Sequence, residues 1–400
     1  MTDPYVSLAQ LAWPLALVLS WMAGEILFRW TGLPRISIYG LAGFAFGNLA
    51  KGFSAPTDDN AFLLLANLGF GLILFELGYR INLRWLRANP WIVATSLAES
   101  SLTFVAVVLV AQAFRMPALA ASLLAALAMA SSPAGLVRVF NEQQAGGQVT
   151  ERALHLSALN CVLAVFAYNA IVGIGVFQTS GNLGHAAAAS LLVLGASALL
   201  GSVAGMLVPR WLRGMGRAGG RGAGGDATMT FALAVLLLVA VTHVLHLSPV
   251  LAALSFGLVA RHRRSALGVA QRNFGALGDL LSVMLFVYAA STLDWQHVWA
   301  GLGLGTLLVI VRLTVKVGVC AAFARVSGIS VRKGALSGLA LAPMGVFAVL
   351  LIEQTRRLGV DLFHSLAPLA AIALVLQLAG PLISQRAVIA ANETPYDKEA

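Results

Sequence analysis

Apolar segments about as long as a membrane is thick follow one another along almost the entire chain. They begin near residue 7 and continue to about residue 390, with short polar connections between them. A helix needs about 20 predominantly apolar residues to cross the hydrocarbon core of a bilayer. Because a helix satisfies its own backbone hydrogen bonds, it suits such a segment in lipid. The sequence therefore predicts an all-α, polytopic membrane protein.

The composition excludes the main alternatives to a membrane protein. Only 10% of the 400 residues are charged and 59% are apolar, whereas a soluble chain carries roughly 25% charged residues. Soluble globular and disordered proteins are therefore excluded. We predict about thirteen membrane-spanning helices, at residues 7–29, 33–50, 60–80, 90–114, 118–140, 151–178, 184–208, 227–246, 248–261, 274–292, 297–325, 332–356 and 362–386.

The basic residues indicate how these helices are oriented. Of the 26 Lys and Arg residues, twenty lie in odd-numbered connections or in the C-terminal tail, and four lie in even-numbered connections. Cytoplasmic loops carry an excess of Lys and Arg. We therefore predict a protein of the cell (inner) membrane with its N-terminus outside and its C-terminus in the cytoplasm. This bias explains the net charge of +10, so we expect no nucleic-acid partner.

Three charged residues lie deep inside predicted helices, where a charge costs about 2.5–3.5 kcal/mol on insertion scales. Glu99 and Lys316 are each about 13–14 Å from the cytoplasmic end of their helix, and Arg312 is about 6 Å deeper. Other carboxylates have a basic residue four positions on, near a helix end: Glu25 with Arg29, and Glu76 with Arg80. Two cations on one helix face need an anion or a wet cavity. Glu99 is the deep carboxylate that remains to pair with them.

Two predicted helices contain residues that interrupt a helix near the middle of the membrane. These residues are Ser131, Ser132, Pro133 and Gly135 in the fifth helix, and Pro343, Met344 and Gly345 in the twelfth. Proline removes a backbone hydrogen bond and glycine weakens a helix. Interruptions at corresponding positions of two halves are typical of the binding site of a secondary transporter.

The positions of the two interruptions predict an inverted repeat. We expect a first repeat of six helices in residues 1–183, a linking helix and cytoplasmic loop in 184–226, a second repeat in 227–390 and a cytoplasmic tail in 391–400. An offset of seven helices inverts the second repeat. It makes the helix of Glu99 the counterpart of the helix of Arg312 and Lys316. Ser132, Cys161 and Pro343 lie at a similar depth, about 12–17 Å from the cytoplasm.

The chain resembles the monovalent cation–proton antiporter superfamily, in particular its Kef-type and bacterial sodium–proton exchanger branch. Seven segments follow in the family's order: GEILFRWTGLPRISIYGLAGFAFG, GLILFELGYRINLRWL, ALAMASSPAGLVRVF, HVLHLSPVLAALSFGLVA, MLFVYAASTLDW, LTVKVG and ALAPMGVFAVL. The resemblance implies an NhaA-like inverted-repeat fold of thirteen helices with two discontinuous crossing helices. It also implies a homodimer with an elevator-like core of helices 4–6 and 11–13.

The resemblance covers the site residues only in part. Lys316 matches the family's lysine in the eleventh helix, and the Ser131–Pro133 segment matches its first unwound segment. The family usually has Asp-Asp or Asn-Asp in the sixth helix, where this chain has Asn160 and Cys161. The second of those positions normally holds the aspartate that binds proton and cation. The frequent Pro-Arg-Gly-Glu of the twelfth helix is also replaced, by residues 343–346, PMGV.

We take Glu99 as the candidate replacement for the missing aspartate, because a thiol is a poor ligand for hard ions such as Na⁺ and K⁺. Glu99 would carry a proton or a cation in turn and pair with Lys316 when it carries neither. Asn160, Ser131, Ser132 and backbone carbonyls of the two breaks would complete the oxygen ligands. The full set of candidate ion- and proton-binding residues also includes Cys161 and Arg312.

The sequence leaves three functions open. The first is exchange of a monovalent cation, Na⁺ or K⁺, for protons by alternating access. The second is a degenerate, non-transporting member that acts as a sensor or assembly partner, which the lost aspartate favours. The third is transport of another solute, such as an organic anion bound by Arg312 and Lys316 near helix N-termini at the breaks.

The sequence does not indicate an enzyme. It contains no G-x-S-x-G, no H-E-x-x-H and no phosphate-binding loop. His243 and His246 are three residues apart, but no Cys or carboxylate lies near them in sequence to complete a metal site. We expect no catalytic site, no resident metal and no cofactor. The expected partners are the monovalent cation, the proton and the lipid bilayer.

Overall fold

The computed structural model describes residues 4–49, 60–177, 183–218, 223–262, 274–344, 348 and 367–395. These ranges are helical and contain no strand, which confirms the predicted all-α class. The helices are α1 Pro4–Thr31, α2 Arg35–Leu49, α3 Asn60–Arg80, α4 Leu83–Ala88, α5 Pro90–Ala113, α6 Ala118–Met129, α7 Pro133–Glu142, α8 Gln148–Phe177, α9 Leu183–Ala218, α10 Ala223–Val244, α11 Pro249–His262, α12 Gly275–Ser291, α13 Trp295–Ala322, α14 Val331–Ala340 and α15 Ala367–Ala390.

Several helical stretches in the described part of the chain are long and apolar enough to cross a membrane. There are seven: Pro90–Ala113, Ala118–Glu142, Gln148–Val172, Leu191–Leu212, Ala227–Val244, Trp295–Ala322 and Pro368–Ala390. Two further apolar helices, Pro249–His262 and Leu277–Ser291, are shorter. The chain is therefore a multi-pass membrane protein.

Local sequence signals explain where several helices begin. Asp294 caps α13 by accepting a hydrogen bond from the backbone N–H of Gln296 at 3.0 Å, and Ser330 caps α14 by accepting from that of Lys333 at 3.2 Å. Pro90 begins α5, where its missing N–H is no loss because the first N–H groups of a helix have no partner within it.

The chain divides into two compact units. The first comprises Met1–Asn60, Asn89–Ala164 and Val283–Ala400, and the second comprises Ala61–Ala88 and Val165–Ser282. Each unit therefore draws helices from both predicted repeats.

The second unit is built around a cluster of four phenylalanines, three from α3, α10 and α11 and one directly before α12. The ring of Phe75 lies with its centroid 4.8 Å from that of Phe256, 5.2 Å from that of Phe231 and 5.7 Å from that of Phe274. All four side chains are buried. Aromatic pairs at these separations add to the stabilisation that packing provides.

The first unit is organised around α13, which packs against α5, α14 and α15. Close approach of α14 depends on Gly338. A Cβ at this position would lie 2.6 Å from both the carbonyl oxygen of Lys316 and the Cα of Val317. Small residues at helix contacts in membranes allow backbones to approach in this way. The backbone around Lys316 is thus fixed by a second helix.

The two interfacial ion pairs expected from sequence are present. Glu25 bonds Arg29 at 2.8 Å, and Glu76 bonds Arg80 at 2.7 Å. Glu25 also bonds Arg35 at 2.9 Å, and Arg35 reaches Glu142 at the end of α7 at 3.0 Å. Arg35 therefore links the α1–α2 connection to the half-helix that follows the first break.

The described part of the C-terminal tail, residues 391–395, packs against the start of α8 through Glu393, a contact that the composition of the tail did not predict. The carboxylate of Glu393 accepts hydrogen bonds from the backbone N–H groups of Val149 at 2.7 Å and Thr150 at 2.8 Å, and from the Thr150 hydroxyl at 2.9 Å. A carboxylate is favourable at a helix N-terminus because the free N–H groups and the helix dipole are positive there. Glu393 therefore caps α8.

We predict that Gly338→Ala destabilises the protein, because its new methyl group would press into the backbone of α13. Overpacking of this kind costs about 1–3 kcal/mol. The matched control is Gly318→Ala within α13, where an added Cβ meets nothing within 4 Å. Thermal unfolding in detergent should show a lower midpoint for Gly338→Ala and an unchanged or higher one for Gly318→Ala. Equal midpoints would contradict this packing.

Candidate functional site

Two irregular segments face each other in the first unit, at the positions where the sequence predicts interruptions. Residues 130–132 separate α6 from α7, and residues 341–344 follow the end of α14. The backbone N–H of Ser132 donates to the carbonyl of Pro343 at 2.6 Å. The hydroxyl of Ser131 donates to the carbonyl of Leu341 at 3.0 Å. The two segments therefore satisfy part of each other's backbone. Gly345 lies outside the described residues.

One proline and a serine cap explain the first break. Pro133 is the first residue of α7, and the Ser132 hydroxyl caps this helix by accepting from the N–H of Gly135 at 3.3 Å. Gly135 also permits a close approach between the breaks, because a Cβ there would lie 2.9 Å from the Cβ of Pro343. Met344, next to Pro343, is fully buried.

Arg312 connects the ends of both interrupted helices. Its Nε donates to the carbonyl of Ala128 at 2.9 Å, and its Nη2 donates to that of Ala130 at 2.7 Å. On the other side its Nη1 donates to Ala342 at 2.9 Å and its Nη2 to Leu341 at 3.2 Å. The guanidinium therefore binds carbonyls at the C-terminal ends of α6 and α14. These are groups that a helix end leaves without partners.

Lys316 and Glu99 form an ion pair in the interior of the first unit. The Lys316 ammonium donates to Oε1 of Glu99, and both side chains are 0% exposed. The same ammonium donates to the carbonyl of Met129, the last residue of α6, at 3.1 Å. Lys316 therefore binds the carboxylate and a free helix end at once.

Asn160 holds the other oxygen of the carboxylate. Its amide Nδ2 donates to Oε2 of Glu99 at 2.7 Å. Its Oδ1 accepts hydrogen bonds from the hydroxyls of Ser96 at 2.7 Å and Ser100 at 3.2 Å. The hydroxyl of Thr103 donates to Oε1 of Glu99 at 3.3 Å. Every one of these groups is buried, so the carboxylate lies in an ordered polar network away from lipid.

The charges of the site are close to balanced once the helix ends are counted. Glu99 is negative, while Arg312 and Lys316 are positive. Each helix C-terminus carries roughly half a negative charge; the end of α6 contacts both cations, and the end of α14 contacts Arg312. This arrangement compensates the second cation without a second carboxylate.

Cys161 faces the first break rather than the carboxylate. Its Sγ lies 3.3 Å from the carbonyl oxygen of Ser131, which also accepts from the hydroxyl of Ser157 at 3.3 Å. Its side chain is fully buried. The position that holds the family's aspartate thus lies at the break, one residue from Asn160.

The structure brings together most of the residues that the sequence singled out. Glu99, Asn160 and Lys316 are in direct contact. Arg312, in contrast, is bonded to carbonyls and makes no ion pair with Glu99 in the described part of the chain. The anion-binding alternative placed the two cations beside helix N-termini, whereas Arg312 lies at C-terminal ends.

Ser96 and Ser100, whose hydroxyls fix the orientation of the Asn160 amide, were not among the predicted site residues. They lie one helical turn apart among the polar residues around Glu99, which marks a polar face but does not show which neighbouring helix that face contacts. Among the described residues no group of three or more His, Cys, Asp or Glu side chains could hold a metal ion.

The chain matches a family model over most of its length. The family described as "Sodium/hydrogen exchanger, transmembrane" matches residues 15–385. No curated protein matches the chain significantly.

Two solved structures of the sodium proton antiporter MjNhaP1 from Methanocaldococcus jannaschii resemble the chain in fold. The structure at pH 8 is 17% identical and has a TM-score of 0.68, with 96% of each chain covered. The structure from electron microscopy is 16% identical and has a TM-score of 0.73, with 98% of this chain and 97% of that chain covered. At such low identity the likeness establishes only that the chain shares this fold. Since the family match covers most of the sequence, the chain belongs to the sodium/hydrogen exchanger family, whose members are transporters rather than enzymes.

Proposed function

We propose that the protein exchanges a monovalent cation, Na⁺ or K⁺, for protons by alternating access, with Glu99 as the carboxylate for which cation and proton compete. The observation that carries this proposal is the buried contact of Glu99 with Lys316 and Asn160. A buried carboxylate must be neutralised by a cation, by a proton or by an internal partner. Lys316 is that internal partner in the structure described here.

The ligands of the Lys316 ammonium suit a monovalent cation equally well. They are Oε1 of Glu99 and the carbonyl oxygen of Met129, and the hydroxyl of Thr103 lies on the same carboxylate oxygen. Na⁺ and K⁺ are hard ions that prefer oxygen ligands. A cation that displaces the ammonium would therefore find oxygen ligands already in place.

The bonds of Arg312 favour cation exchange over the organic-anion alternative. Its guanidinium is bound to four carbonyls and so contributes little free hydrogen-bonding capacity to an anion. The non-transporting alternative depends on the absence of an aspartate at Cys161. Glu99 supplies a carboxylate bonded to the neighbouring residue Asn160, so the site has a titratable carboxylate without that aspartate.

The finer architecture is also part of this proposal. We infer thirteen membrane helices in two inverted repeats, residues 1–183 and 227–390, with an external N-terminus, a cytoplasmic C-terminus and a homodimeric assembly in the inner membrane. The two breaks in the fifth and twelfth predicted helices support the repeat. The contact between the fourth and eleventh predicted helices through Glu99 and Lys316 supports it as well.

We predict that Glu99→Gln reduces cation–proton exchange in proteoliposomes at least tenfold, because glutamine can neither take up a proton nor neutralise a cation. The matched control is Glu25→Gln, which alters a partly exposed pair at a helix end and should leave exchange nearly unchanged. Unchanged exchange in Glu99→Gln would contradict the assignment.

The single variant also leaves Lys316 without its carboxylate, which costs about 3–5 kcal/mol for a buried pair. The double variant Glu99→Gln/Lys316→Gln removes both charges and should recover much of that stability while exchange stays low. This comparison separates loss of folding from loss of the binding group. Recovery of exchange in the double variant would contradict the proposal.

We predict that Lys316→Met makes the thermal unfolding midpoint depend on which monovalent cation is present in solution. Without its ammonium partner, Glu99 must be neutralised by a proton or by an added cation, and a ligand that binds the folded state raises the unfolding temperature. Sodium or potassium chloride should therefore raise the unfolding midpoint of Lys316→Met more than choline chloride does. The control is Lys333→Met, which alters a half-buried lysine bonded to Gln148 and should respond equally to all three salts. An equal response of Lys316→Met to all three salts would contradict Glu99 as the cation site.

A further inference from the structure

A small cleft with several polar groups in its wall lies one helical turn from the ion pair, in the first unit. It has a volume of about 10 Å³, room for roughly one water molecule, and is lined by Ile92, Thr95, Arg152, Leu156, Cys320, Phe323, Ala324, Ser327, Ile329, Gly334 and Ser337. Thr95, Leu156 and Cys320 are each four residues from a site residue, namely Glu99, Asn160 and Lys316. Four residues correspond to about 6 Å along a helix. The cleft is therefore adjacent to the proposed cation site but separate from it.

Arg152 brings a charge into this cleft that no carboxylate neutralises in the described part of the chain. The residue is 8% exposed. It donates from Nη1 to the hydroxyl of Ser327 at 2.5 Å and from Nη2 to the carbonyl of Ser327 at 2.6 Å. Both acceptors are neutral. A buried charge is unfavourable unless it is paired, and Arg312, with four carbonyl partners, shows how fully the same group is satisfied elsewhere.

The groups of the cleft that lack a partner are hydrogen-bond donors. The buried Nε–H of Arg152 has no acceptor, and the Sγ of Cys320 makes no hydrogen bond with any described residue. The hydroxyls of Thr95 and Ser337 already donate to the carbonyls of Trp91 at 2.6 Å and Lys333 at 2.9 Å. No lining residue is acidic. This chemistry suits an acceptor with negative charge and does not suit a cation.

We propose that the Arg152 cleft binds a small inorganic anion of the size of chloride. The cleft has room for little more than one water molecule, which excludes larger anions such as gluconate, and the charge of a single halide ion would neutralise the guanidinium while it accepts the free donors. The consequence for transport rests on the proposed function. An anion here would offset the positive charge of Arg152 about 12 Å along α8 from Asn160, and so would favour a cation at Glu99.

Bromide tests the site directly, because it replaces chloride and can be located by its anomalous scattering. Crystals of the full-length protein in sodium bromide should show an anomalous peak at hydrogen-bonding distance from the Arg152 guanidinium. Sodium bromide or chloride should also raise the unfolding midpoint relative to sodium gluconate at equal sodium concentration and ionic strength. Arg152→Gln should abolish both the peak and the shift.

Arg325→Gln is the matched control, because it removes an exposed positive charge from the loop that contains Ser327 without altering the cleft. It should keep the peak and the shift. Absence of the peak, or an equal shift in Arg152→Gln, would overturn the anion site, as would binding of gluconate as strong as that of chloride.

The effect on exchange is measured separately in proteoliposomes filled with sodium chloride or sodium gluconate. Chloride should accelerate exchange several-fold, up to about tenfold, in the unmodified protein and in Arg325→Gln but not in Arg152→Gln. If bromide binds but exchange is equally fast in chloride and gluconate, the anion site is confirmed and its proposed effect on transport is wrong. Absence of exchange in either salt would instead contradict the proposed function.

Discussion

The architecture of the site depends on how free backbone carbonyls are satisfied where two helices are interrupted inside a membrane. Water is absent from the hydrocarbon, so each unsatisfied group there costs several kcal/mol. Arg312 binds the free carbonyls of both interrupted helices, and Lys316 binds the last carbonyl of α6. These two cations can be buried because the helix ends need donors, and the helix ends can exist because the cations supply them. Neither feature would be stable without the other.

Glu99 is linked to this arrangement through Lys316. The ammonium contacts both the carboxylate and the end of α6, so a cation or proton that takes over Glu99 also changes the partners of a helix end at the break. Asn160, held by Ser96 and Ser100, keeps the carboxylate oriented during that change. The proposed ion-binding group and the interrupted backbone are therefore coupled by one side chain. This coupling is what an alternating-access transporter needs if ligand binding is to alter its conformation.

The sequence predicted those features that the membrane itself requires. It did not predict contacts that depend on the direction in which a side chain points. Helicity and the pair of Glu99 with Lys316 could be predicted, because a deep charge in lipid needs a partner and few candidates existed. The role of Arg312 could not, since it depends on which carbonyls the breaks leave free and on which side of α13 they lie. Ser96 and Ser100 were missed because the rotation of α5 relative to α8 is not encoded in spacing alone. The cap that Glu393 places on α8 was missed because a polar tail has no periodic pattern that indicates docking.

Proton release on cation binding tests most directly the claim that cation and proton compete for Glu99. Sodium chloride or potassium chloride is added to the purified protein in weakly buffered detergent solution, and the pH is followed with an indicator dye. The account predicts a release of protons that saturates with cation concentration, that choline chloride does not produce and that Glu99→Gln abolishes. An equal, saturating release from the unmodified protein and from Glu99→Gln would contradict it.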